Sequence, residues 1–71
     1  MKARRLLAVL ERKPLNYRVA RRAGSHRWLL SPDYPPLLFA FHDSATVKPH
    51  IVRKILLRDV GLAEDEAREL L

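Results

Sequence analysis

Cysteine is absent from this 71-residue sequence, so no disulfide and no thiolate metal cluster can staple the fold. Stability must come from packing, helped by any partner. Nothing asks for an oxidising compartment, and the expected location is cytoplasmic. Only 2 glycines are present, and neither belongs to a Gly-rich phosphate loop. Long apolar runs are missing too. Leu37-Leu38-Phe39-Ala40-Phe41 is far short of the roughly 20 residues that cross a bilayer. The basic-then-apolar start, Met1 to Leu7, meets Glu11-Arg12-Lys13 before the core of a signal peptide could form. No segment pairs a basic face with a broad aromatic one, so a membrane is not the expected partner. Neither a His-Glu metal spacing nor a nucleophile elbow appears, and no metal or cofactor is expected.

Hydrophobic residues make up 48% of the chain and charged residues 31%, which suits one globular domain over 1–71 and is too apolar for a disordered tail. The net charge is +6, and it is unevenly spread. Residues 1–30 carry 9 basic side chains against 1 acidic. Residues 31–58 carry 4 against 2, and residues 59–71 carry 1 against 5. A strongly cationic half therefore faces whatever is negative, and nucleic acid is the expected partner.

Ala3, Leu6, Leu7 and Leu10 fall at i, i+3, i+4 and i+7, the stripe of an amphipathic helix from Ala3 to Arg12. Pro14 ends it. Tyr17 to Arg22 alternates, with Tyr17 and Val19 on one side and Arg18 and Ala20 on the other, as a strand with one wet face does. Gly24-Ser25 supplies the turn. His26 to Ser31 is the second strand, with Trp28 and Leu30 opposite Arg27 and Leu29. Three prolines between Pro32 and Pro36 make a loop. Leu37 to Phe41 is a third strand, apolar enough to be central. Ile51, Val52, Ile55, Leu56 and Val60 then repeat at helical spacing behind Pro49, and Gly61 follows as a terminator. Glu64, Asp65 and Glu66 open a last short helix, as the dipole prefers. The expected class is α+β in the order α-β-β-β-α, a three-stranded antiparallel sheet with helices on one face and a short C-terminal third helix.

Among groups that titrate near neutral pH, only His26, His42 and His50 are present. His26 opens the second strand and His42 closes the third. A hairpin folded about Tyr34 pairs residue 30 with 38, 28 with 40 and 26 with 42, which puts both histidines at one end and one face of the sheet. RNA cleavage needs a base for the 2′-hydroxyl, an acid for the leaving oxygen and a cation for the phosphorane. His26, His42 and the cluster Arg21, Arg22 and Arg27 offer all three. A surface histidine beside a turn is more often an ordinary polar residue, and His50, in a first helical turn, suits solubility or phosphate contact. The basic set is the firmer signal. Arg18, Arg21, Arg22 and Arg27 join Arg4, Arg5, Arg12 and Lys13, while Lys48, Arg53 and Lys54 begin the main helix, where backbone amides favour phosphate. Trp28 offers a base-stacking face, although an inward strand tryptophan is more often core.

Three stretches together resemble the HicA toxin family. They are Arg22-Ala23-Gly24-Ser25-His26-Arg27; His42-Asp43-Ser44 leading through Lys48-Pro49 into Val52-Arg53-Lys54-Ile55-Leu56; and Asp59-Val60-Gly61-Leu62. The resemblance implies a fold like the double-stranded-RNA-binding domain and ribosome-independent mRNA cleavage. It makes His26, the histidine of Gly-Ser-His, essential. From the residues themselves His42 and Arg27 stand as auxiliary candidates, and Arg18, Arg21, Arg22, Ser25, Lys48, Arg53 and Lys54 as RNA contacts. It also implies a HicB-type antitoxin that covers the active face. Where many members carry a second aromatic or histidine after the motif, this chain has Arg27-Trp28. The rival reading is a non-catalytic module on the same fold that binds RNA or another protein.

Overall fold

Helix α1 spans Ala3–Glu11 in the computed structural model, which describes residues 1–71. Its buried stripe is Ala3, Leu6, Val9 and Leu10, four apolar residues within two turns. The capping position, Lys2, offers no side-chain acceptor, so the first amides are satisfied from elsewhere in the chain. Ala3 N–H donates to the Ala45 carbonyl at 2.8 Å and Arg4 N–H to that of Asp43 at 3.2 Å. Two residues before Ala3, Met1 and Val47 exchange backbone hydrogen bonds of 2.8 and 3.0 Å. The start of α1 is thereby strapped to residues 43–47.

Strands β1 (Arg18–Ala23), β2 (His26–Leu30) and β3 (Leu37–Phe39) form an antiparallel meander in the order β1-β2-β3. The third strand lies at an edge, not at the centre as its apolarity suggested. Two consecutive hairpins put the middle strand in the middle, and β3 is apolar because Leu37 and Phe39 face the core while Leu38 stands 55% exposed. The β2–β3 register also differs from a hairpin folded about Tyr34. Arg27 pairs with Phe39, Trp28 with Leu38 and Leu29 with Leu37, a slip of two residues that leaves every side chain on its expected face. In β1 the pairing shifts between Val19 and Arg21. Ala20 is the extra residue of a bulge, which resets the alternation so that Arg18 and Arg21 share one face and Val19 and Arg22 the other.

Helix α2 (Pro49–Lys54) runs without a break into a wide π-type segment, Ile55–Asp59, so the helix read as continuous to Val60 changes its winding halfway. The Val60 N–H reaches the Ile55 carbonyl at 2.9 Å, the i→i+5 spacing of a π turn. Gly61 at φ 90° ends it, and the Leu62 N–H returns to the Leu56 carbonyl at 3.0 Å. Helix α3 (Glu64–Leu70) opens with Glu66 accepting from the Ala63 N–H at 2.9 Å and is clipped to α2 by Arg53–Glu64 at 2.6 Å.

The helices share one core with the inner sheet face: Leu6, Leu10, Leu15, Leu29, Phe39 and Leu56 are fully buried there. No helix is long and apolar enough to cross a membrane. At the rim of this core, the Tyr17 hydroxyl donates to the Pro35 carbonyl at 2.6 Å. Desolvation by burial, and secondarily the neighbouring Tyr34, raises the Tyr17 phenol above its usual value. A raised folded-state value means that folding favours the neutral phenol. Its contribution is complete below the unfolded value of about 10 and is lost as pH rises through the folded one. Urea denaturation midpoints should therefore fall as pH passes about 10, and Tyr17→Phe should flatten that limb relative to wild type. Parallel pH profiles for the two proteins would remove Tyr17 from the account.

Candidate nucleic-acid interface

The tight turn between β1 and β2 organises the site. Gly24 sits at φ 60°, the left-handed region that a Cβ disfavours, and the next residues emerge on alternate faces of β2. His26 points outward and is exposed, Arg27 points inward and is 5% exposed, Trp28 is outward and half-buried, and Leu29 is buried. The alternation of β2 is as the sequence indicates, but Trp28 is not a core residue. The face toward the helices carries Arg27 and Leu29 instead, because Leu29 continues the apolar surface of Leu37 and Phe39.

On the outer face, His26 meets Trp28 edge-on, with ring centroids 6.1 Å apart at 77°. The Arg21 guanidinium lies 5.0 Å from the centre of the Trp28 ring, within cation–π range. The bulge at Ala20 makes this contact possible, since it turns Arg21 to the side of Trp28. Arg18 pairs with Leu30 and lies on the same face, and Leu38 stands opposite Trp28. The surface thus combines an imidazole, an indole, two guanidiniums and two exposed leucines.

On the other side of the hairpin tip a polar cavity of about 430 Å³ is lined by Arg4, Arg22, Ser25, Arg27, His42 and Ser44, among others. His42 lines it and His26 does not. The two histidines share an end of the sheet, but β3 stops at Phe39 and the chain then turns, with Ala45 N–H donating to the His42 carbonyl at 2.9 Å. Strand alternation therefore does not extend to His42. Arg27 Nη2 donates to Asp43 Oδ1 at 2.7 Å, while its Nη1 is buried without a partner.

The remaining basic residues are placed elsewhere. Lys48 flanks the start of α2, Arg53 is held by Glu64 and Lys54 lies 3.7 Å from Asp59. None of the three lines the cavity. His50 is exposed in the first turn of α2. In the sequence Arg4 is one basic residue of many, and nothing marks Asp43. Both acquire their positions through the contact of α1 with residues 43–47, which no local pattern announces.

Fold and surface together define a small basic α+β domain, a helix followed by a three-stranded meander and two helices, with a histidine displayed at the first hairpin. Residues 3–62 match the family described as HicA toxin of bacterial toxin–antitoxin. The chain belongs to that family and is the toxin of a toxin–antitoxin system, whose toxins pair with an antitoxin. Among curated proteins and among solved structures, none matches the chain. The family match ends at Leu62, so the acidic helix α3 lies outside it.

Proposed function

We propose that this toxin is an endoribonuclease that cleaves mRNA without the ribosome, with His26 as its catalytic histidine, and that a HicB-type antitoxin neutralises it by covering the outer sheet face. The observation that carries the reading is the grouping of His26, Trp28 and Arg21 on one exposed surface. An RNA base stacked on the half-buried indole would gain aromatic contact without displacing the core. Arg21 and Arg18 are then available to adjacent phosphates. In that pose the imidazole of His26 removes the 2′-hydroxyl proton, the 2′-oxygen attacks phosphorus, and the P–O5′ bond breaks. The products are a 2′,3′-cyclic phosphate and a 5′-hydroxyl end; the leaving 5′-oxygen takes its proton from water, and His26 then releases to solvent the one it accepted.

The test is cleavage of a long unstructured transcript, with chelator present, by wild type and His26→Ala, while binding of the same transcript is followed for both. Cleavage that persists in the variant would remove His26 from the chemistry. Two proteins that bind RNA equally and cleave nothing would leave a binding module.

A further inference from the structure

The cavity behind the hairpin tip has no part in the outer-face chemistry. It is lined by three arginines, Arg4 from α1, Arg22 from β1 and Arg27 from β2, against the single carboxylate of Asp43. Their sum is +2, with His42 adding to it when protonated. Ser25, Ser44 and the glycine of the turn complete a rim of small, polar residues that lets a ligand approach the backbone. Arg27 is the decisive group. Its side chain is 6% exposed and one arm of the guanidinium is satisfied by Asp43 at 2.7 Å. The other, Nη1, is buried with no acceptor. A buried charged donor left unsatisfied is costly, and the guanidinium places a fixed positive charge under the cavity.

We propose that this cavity is a phosphate seat that holds a non-scissile backbone phosphate of the RNA, on the opposite face of the sheet from His26. Arg4 and Arg22 close on the anion from two sides, Ser25 and His42 donate from the rim, and the Arg27 guanidinium adds a fixed positive charge beneath. A strand that stacks on Trp28 would then pass over the Gly24-Ser25 tip and be anchored behind it, which sets the register of the chain relative to His26. The identity of the phosphate as RNA rests on the endoribonuclease reading, whereas the anion site rests on the cavity alone.

The experiment titrates inorganic phosphate, and in parallel acetate, into ¹⁵N-labelled full-length protein while the Gly24, Ser25 and Ser44 amides and the Arg27 side-chain Nε–H are followed by NMR. The comparison variant is Arg4→Gln/Arg22→Gln, since both side chains are exposed and outside the core. Phosphate should shift these signals and acetate should not, and the double variant should weaken phosphate binding about tenfold or more. For a single-stranded RNA that neither form cleaves, the slope of log affinity against log salt should become shallower by about 0.7, one phosphate contact. Unperturbed signals would overturn the site. An equal response to acetate, with RNA affinity unchanged in the double variant, would make it a seat for a partner's carboxylate and overturn the proposal. Phosphate binding with an unchanged RNA slope would reduce it to a site for the free ion, which also overturns it. His26→Ala separates the two readings: it should retain the phosphate response whatever happens to cleavage.

Discussion

Replacing His26 by alanine should slow cleavage of an unstructured transcript by about 10²–10⁴-fold, the usual contribution of a positioned acid or base, while the RNA dissociation constant changes by less than about threefold. The separation is expected because His26 is exposed and lies at the end of β2, outside the core. Removing the imidazole leaves the contact of Arg21 with the Trp28 ring in place. The strand pair Ala23–His26 is held by backbone atoms and should persist. Single-turnover cleavage with binding measured on the same RNA reads both quantities. A fall in affinity as large as the fall in rate would show His26 to be a contact and not a proton carrier.

The second large effect is on stability. Phe39→Ala should cost about 3–5 kcal/mol, as aromatic truncation in a packed core does. Phe39 is 2% exposed and stacks edge-on with Phe41, centroids 5.3 Å apart at 67°, a geometry worth about 0.5–1.5 kcal/mol beyond area. It also pairs with Arg27 across the strands, so its loss loosens the position of that guanidinium. A domain of this length has a total stability of about 4–11 kcal/mol, and the variant should lose a large fraction of it. Urea denaturation should show a midpoint at roughly half the wild-type value or lower. A shift of only a few tenths molar would mean that the core collapses around the gap.

Much of this architecture is legible locally. The end of α1 before Pro14, the turn at Gly24-Ser25, the start of α2 at Pro49 and the acidic opening of α3 each depend on residues within one turn of the signal. What could not be read depends on partners far along the chain. Alternation tells that Arg27 and Trp28 face opposite ways, but which of them meets the helices is settled by Leu29, Leu37 and Phe39 together and by Asp43, 16 residues from Arg27. The bulge at Ala20 has no glycine to mark it, yet it decides that Arg21, and not Arg22, lies over the indole. The widening of α2 at Ile55 is invisible because the same apolar spacing suits either winding. For the site, His26 stands out by its motif, whereas the cavity of Arg4, Arg22 and Arg27 draws on three elements that only the fold unites.

The arginines of β1 have a second consequence. This six-residue strand is exposed along its whole length and forms one border of the sheet, with nothing paired to its far side. Such a border is a template on which another chain can add a strand, and charge together with a bulge is what normally discourages it. The charges of Arg18, Arg21 and Arg22 thus discourage strand addition between molecules. Removing all three would strip the strand of its mutual repulsion. Such a triple variant should self-associate at concentrations where the wild type stays monomeric, and light scattering should accompany any binding measurement made on it.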